Sequence, residues 1–97
     1  IVFVLGFLKD KNVEVFTKRL LSGLSLRKVI VFKPETPRGM PVNEAAGKIQ
    51  NAGYGVEKTD SILEAMPKAV KSAVPDDVVM VTGSLYNIEP VRNIKTL

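Results

Sequence analysis

Val78-Val79-Met80-Val81-Thr82 is the most uniformly apolar, β-branched run in the chain. A run of that length with no polar alternation suits a strand buried on both faces, which is the setting of a parallel sheet. Three more runs precede it: Ile1-Val2-Phe3-Val4-Leu5, Val29-Ile30-Val31-Phe32 and the weaker Tyr54-Gly55-Val56-Glu57. Parallel neighbours need a crossover, and each gap carries a helical pattern. Residues 12–24 put Val13, Phe16, Leu20, Leu21 and Leu24 on one face, with Lys11, Glu14, Lys18 and Arg19 outside it. A second helix opens with Pro41 at its first position, turns Val42, Ala45, Ala46 and Ile49 inward, and ends at Gly53. A third, over residues 61–74, offers Ile62, Leu63, Met66, Val70 and Val74; Pro67 inside it is expected to kink or split it. A fourth follows Ser84, with Leu85, Ile88 and Val91 inward and Pro90 delaying its regular start. The alternation predicts an α/β domain, three-layer α/β/α and Rossmann-like, with a mainly parallel sheet and right-handed crossovers.

Length and composition bound the function. Ninety-seven residues, 45% hydrophobic and 25% charged, are one ordinary globular domain rather than a disordered or fibrous chain. The longest apolar run, residues 1–8, is broken by Gly6 and is far too short to span a bilayer. The chain starts at Ile1 without methionine or a basic leader, so it reads as the middle or end of a longer polypeptide. With no cysteine and no histidine, thiol nucleophiles, thiolate metal sites and the commonest general base are all excluded. No Walker phosphate loop and no dinucleotide fingerprint is present, so the segment is not a self-sufficient ATPase or dehydrogenase. Net charge is +4, and the six aromatics mostly sit at apolar positions, which disfavours nucleic acid and suits small acidic ligands.

In a parallel sheet ligands bind beyond the C-terminal strand ends. Three loops lie there: residues 6–12 with Lys9, Asp10 and Lys11, residues 33–40 with Lys33 and Arg38, and residues 82–86, where Thr82-Gly83-Ser84 opens a helix. Cations converging on a helix N-terminus suit an anion. Each residue also has a plainer reading: Ser84 as an N-cap, Lys9 and Lys11 as solvated turn residues, Arg38 as a brace for its own Pro-rich loop.

These loops carry a family resemblance. Val4-Leu5-Gly6-Phe7-Leu8-Lys9-Asp10-Lys11-Asn12, Thr36-Pro37-Arg38-Gly39-Met40-Pro41, and Val81-Thr82-Gly83-Ser84-Leu85-Tyr86 followed by Val91-Arg92 together resemble the C-terminal domain of folylpolyglutamate synthase and the bifunctional dihydrofolate synthase, in the Mur ligase superfamily. The likeness covers nearly the whole chain, in order, and its most specific segment is Val-Thr-Gly-Ser-Leu-Tyr. Pro67 and Pro90 depart from the family's helices. The resemblance implies the Mur ligase C-terminal domain type of fold, with residues 78–82 inserted between the first and second strands. It implies a cytoplasmic ATP-dependent ligase that joins glutamate to folate, either tetrahydrofolate or dihydropteroate, through an acyl phosphate. ATP and Mg²⁺ are then held mainly by the enzyme's own N-terminal ATPase domain, and this segment alone is inactive. By motif match Ser84 contacts the incoming glutamate, and Lys9, Asp10, Arg38 and Thr82 support the same cleft; no metal ligand and no catalytic residue is carried over. Two other readings compete: a peptidoglycan Mur ligase domain, and a stand-alone flavodoxin-like module binding a small ligand. Neither nucleic acid nor membrane is an expected partner.

Overall fold

The computed structural model describes residues 1–23, 26–74, 78–81 and 94–96, the last three by backbone only. Its strands are β1 (Val2–Leu5), β2 (Lys28–Val31), β3 (Glu57–Lys58), β4 (Val79–Val81) and β5 (Ile94–Thr96). They form one sheet in the order β3-β2-β1-β4-β5, and every neighbouring pair is parallel. The described helices are α1 (Val13–Leu21), α2 (Val42–Asn51) and α3 (Ile62–Ser72).

The strand pleat explains the unbroken apolar runs. Phe3, Leu5, Val29 and Val31 point to one face, where they meet Val13 and Leu21 of α1 and Ala45, Ala46 and Ile49 of α2. Val2, Val4, Ile30, Phe32, Val79 and Val81 point to the other, against Ile62, Ala65 and Ala69 of α3. Both faces of β1 and of residues 29–31 of β2 are therefore core, and the one polar residue of the two strands, Lys28, stands half-buried at the start of β2. The three layers are those expected of the sequence.

The strand order corrects one expectation. Residues 79–81 pair with β1 on one side and β5 on the other, and they do not separate β1 from β2. The middle of the sheet is β1, whose four residues are all fully buried, whereas Met80 of β4 is partly exposed. β5 is a further addition: three residues with a lysine at their centre carry no strand signal of their own.

Local chemistry sets the helix ends. Asn12 caps α1, its Oδ1 accepting from Val15 N at 3.3 Å. Pro41 is the N-cap of α2, one position earlier than read, and gives no side-chain cap bond. Gly53 ends α2 at a positive φ of 101°, while Tyr54 N reaches back to Ile49 O at 3.3 Å. Ser61 caps α3 through Glu64 N at 3.4 Å, and Glu64 in turn accepts from Asp60 N at 3.0 Å.

α3 differs from expectation in two ways. It is continuous through Pro67, which is exposed, as is Leu63 one turn back, so the carbonyl that loses its donor lies on the solvent side. Its sheet-facing stripe is Ile62, Ala65 and Ala69, while Leu63 is 78% exposed and Val70 and Val74 are exposed too. In α1, Val13 and Leu21 are buried as expected with Thr17 between them, whereas Phe16 and Leu20 are half-buried. Leu24 and the expected fourth helix lie outside the described residues. Among those residues no helix is long and apolar enough to cross a membrane.

Candidate functional site

The strand order reverses at one place. From β1 the chain steps outward through β2 to β3, then returns to the opposite side of β1 for β4 and β5. In a doubly wound sheet that reversal opens a crevice beyond the C-terminal ends of the two strands concerned, here β1 and β4. Residues 6–12 leave β1 at this edge, and Thr82 follows Val81 at the end of β4.

The loop after β1 is held by the loop after β2. Leu8 and Gly39 form an antiparallel bridge, Lys9 N donates to Arg38 O at 2.8 Å, and Met40 N donates to Phe7 O at 2.8 Å. The second loop is built by its own sequence. Thr36-Pro37-Arg38-Gly39 is a β-turn with proline at the second position, closed by Gly39 N to Thr36 O at 2.8 Å; Thr36 Oγ1 also accepts from Arg38 N at 3.4 Å. Glycine is required at its end because a Cβ there would run into the Pro34 carbonyl oxygen, and Thr36 O would lie 3.1 Å away. Under the first loop Gly6 lies on the buried Phe32 ring, whose Cζ would be 2.5 Å from a Cβ at residue 6. Phe7 is buried edge-on to Phe16, with centroids 5.5 Å apart.

Two of the expected site residues meet directly. Arg38 Nη2 donates to Asp10 Oδ2 at 3.1 Å, with both side chains about 70% exposed (69% and 72%). A pair so exposed adds at most about 1 kcal/mol to stability, so its consequence is orientation: Arg38 is turned across the first loop rather than outward. Lys9 is fixed beside it through the backbone, while its side chain is exposed and, like that of Lys33, has no ion-pair partner among the described residues. Lys11 Nζ sits 4.7 Å from the centre of the Phe16 ring. Thr82 and Ser84, the other two expected residues, lie outside the described residues.

Sequence reading missed the contribution of β3 to this edge. Thr59 is buried, and both its N and its Oγ1 donate to Val31 O at 2.9 Å, tying the end of β3 to β2. Lys58 Nζ donates to Asn43 Oδ1 in the first turn of α2 at 3.1 Å. Neither pairing is local, so no sequence signal marks it. The edge carries Lys9, Lys11, Lys33, Arg38 and Lys58, with Asp10, Glu35 and Asp60 in its loops and Glu14, Glu44 and Glu64 in the first turns of the three described helices, which open onto it. The exposed cations of the two joined loops, Lys9, Lys33 and Arg38, are the part of it suited to an anionic ligand; α1 and α3 are capped by Asn12 and Ser61, and α2 has no side-chain cap. Among the described residues no three acidic side chains come together as metal ligands.

The family described as Mur ligase, glutamate ligase domain matches residues 1–85. The chain belongs to that family. Comparison with curated proteins and with solved structures finds no match. The matched residues of this Mur ligase domain take in all the described helices, β1 to β4 and both joined loops, so the C-terminal sheet edge belongs to a ligase.

Proposed function

We propose that this Mur ligase domain is the C-terminal, glutamate-binding part of a cytoplasmic folylpolyglutamate synthase. Its substrates are then ATP, glutamate and a folate acceptor, tetrahydrofolate or dihydropteroate, with ATP and Mg²⁺ bound mainly by a preceding ATPase domain. The folate carboxylate takes the γ-phosphoryl group of ATP, giving an acyl phosphate and ADP. The glutamate amine then attacks the acyl carbon, phosphate leaves, and the amine gives up a proton as the amide forms. On this reading the domain's task is to hold glutamate so that its amine faces the acyl phosphate when the two domains close.

The observation that carries the reading is the β1/β4 switch point, flanked by Gly-Phe-Leu-Lys-Asp-Lys-Asn after β1 and by Thr-Gly-Ser-Leu-Tyr after β4. On this reading Lys9 and Arg38 would supply cations to the two carboxylates of glutamate, with Arg38 oriented by Asp10. Ser84 is assigned to glutamate by its place in the most family-specific segment, with Thr82 as a support. The choice of folate over a peptidoglycan precursor rests on the likeness of the three loop segments. The parent ligase, given ATP and radiolabelled glutamate, is expected to label tetrahydrofolate or dihydropteroate. Transfer only to a UDP-muramoyl peptide would replace the folate assignment with the peptidoglycan one, and ATP hydrolysis by the isolated domain would contradict the division of labour.

A further inference from the structure

The loop after β1 is tied to the loop after β2 over only part of its length. Met40 N to Phe7 O, the Leu8 bridge to Gly39 and Lys9 N to Arg38 O hold residues 7–9. For residues 10 and 11 the described bonds are Lys11 N to Leu8 O at 3.1 Å and the exposed Arg38 to Asp10 pair. An ion pair that open to water contributes little, so it cannot by itself fix where Asp10 stands.

Both ends of this stretch lean on one ring. Phe7, which is buried, meets Phe16 with the ring planes at 82° and the centroids 5.5 Å apart. Lys11 Nζ lies over the same Phe16 ring, 4.7 Å from its centre. A perpendicular aromatic pair and a cation over a ring are each favourable arrangements. The ring is itself a fixed point: Phe16 lies one turn into α1, its N bonded to Asn12 O at 3.1 Å, and it packs against the core while remaining half-buried.

We propose that Phe16 is a positioning residue for the candidate site. Its ring pins residues 7 and 11, which sets where the intervening Lys9 and Asp10 stand and, through Asp10, where Arg38 points. The inference rests on the glutamate-ligase reading and adds to it a residue that acts through the loop rather than on the substrate. A site grips its ligand only when its side chains are held by their surroundings, and loosening the loop that carries them costs affinity for that ligand. Core packing alone forecasts something else: leucine at residue 16 fills apolar space without a ring, so it would cost stability and leave substrate binding as it was.

The test measures kcat and the KM values for glutamate and ATP in the parent ligase and in its Phe16→Leu, Phe16→Tyr and Lys11→Met variants. Phe16→Leu should raise the KM for glutamate about tenfold while the KM for ATP moves by less than about twofold. Phe16→Tyr keeps the ring and should bring the glutamate KM back to within about twofold of the parent. Lys11→Met, at an exposed position, should raise it about threefold, and should add nothing further in the Phe16→Leu background because both changes break the same contact. The proposal is overturned if Phe16→Leu leaves the glutamate KM unmoved or raises both KM values alike, or if tyrosine does not rescue. It is also overturned if Lys11→Met has the same effect in both backgrounds, since its ammonium would then act on the ligand directly. Should Phe16→Leu fail to fold, an unmoved glutamate KM in Lys11→Met overturns the proposal instead. Failure of the ligase reading is distinct, because it shows in the unaltered parent as no transfer of glutamate.

Discussion

Replacing Gly39 by alanine separates the two loops that build the candidate site. The new Cβ would be driven into the Pro34 carbonyl oxygen, with Thr36 O at 3.1 Å and Pro34 C at 3.3 Å. These are backbone atoms of one tight turn, so no side-chain rotation relieves the contact and the turn itself has to open. Opening it endangers three bonds: Gly39 N to Thr36 O, Lys9 N to Arg38 O, and Met40 N to Phe7 O, each 2.8 Å long. At about 1 kcal/mol net per bond, the loss is about 2 to 4 kcal/mol. For a domain of this size that lowers the melting temperature by roughly 10 to 20 °C. Thermal denaturation followed by circular dichroism measures it. Gly47→Ala is the matched control: nothing lies within 4 Å of a Cβ there, the position is inside α2, and alanine should raise stability by about 0.5 to 1 kcal/mol. A Gly39→Ala domain that melts within a degree or two of the parent would refute the assignment of Gly39 as the joint between the loops.

Thr17 Oγ1 is buried and, among the described residues, makes no hydrogen bond, so Thr17→Val should be neutral or should stabilise by about 1 kcal/mol in urea denaturation; a loss of that size would mean the hydroxyl is partnered. Glu57 answers to pH. The Lys28 ammonium at 2.7 Å, assisted by Lys68 at 3.3 Å, holds its carboxyl below the ordinary 4.5, so its contribution is present above that pH and is lost as pH falls through the lowered folded value. Both Glu57 and Lys28 are one-third exposed, which limits the effect to about 1 kcal/mol or less, and Glu57→Gln should flatten the fall in melting temperature between neutral pH and acid. An unchanged acid slope would show that the ion pair does not contribute.

How far the fold was legible follows from particular residues. β1 and β2 were plain because both of their faces are core, leaving a run with no polar interruption. The inward face of α3 was legible in part: Ile62 is buried and Met66 packs against the core as expected, whereas Leu63, Val70 and Val74 are exposed and the sheet takes Ala65 and Ala69 instead. Apolar size drew the stripe too wide; alanines at 65 and 69 let the helix come close to the sheet. Thr17 was passed over for the same reason, a polar residue at a core position in α1. The candidate edge was legible where the turn chemistry is local, as in Thr36-Pro37-Arg38-Gly39, and where strand order fixes which loops are neighbours. The Arg38 to Asp10 pair spans 28 residues, and the Thr59 bonds to Val31 span as many, so only the folded chain reveals the bonding.

Ser84→Ala in the parent ligase is the most direct test of a glutamate site at the switch point between β1 and β4. If Ser84 holds glutamate, the KM for glutamate rises by the equivalent of about 1 to 3 kcal/mol, while the KM for ATP changes much less. A variant that loses about 1 kcal/mol of stability, as for a removed N-cap, with both KM values unmoved, would take Ser84 out of the site and contradict glutamate binding there.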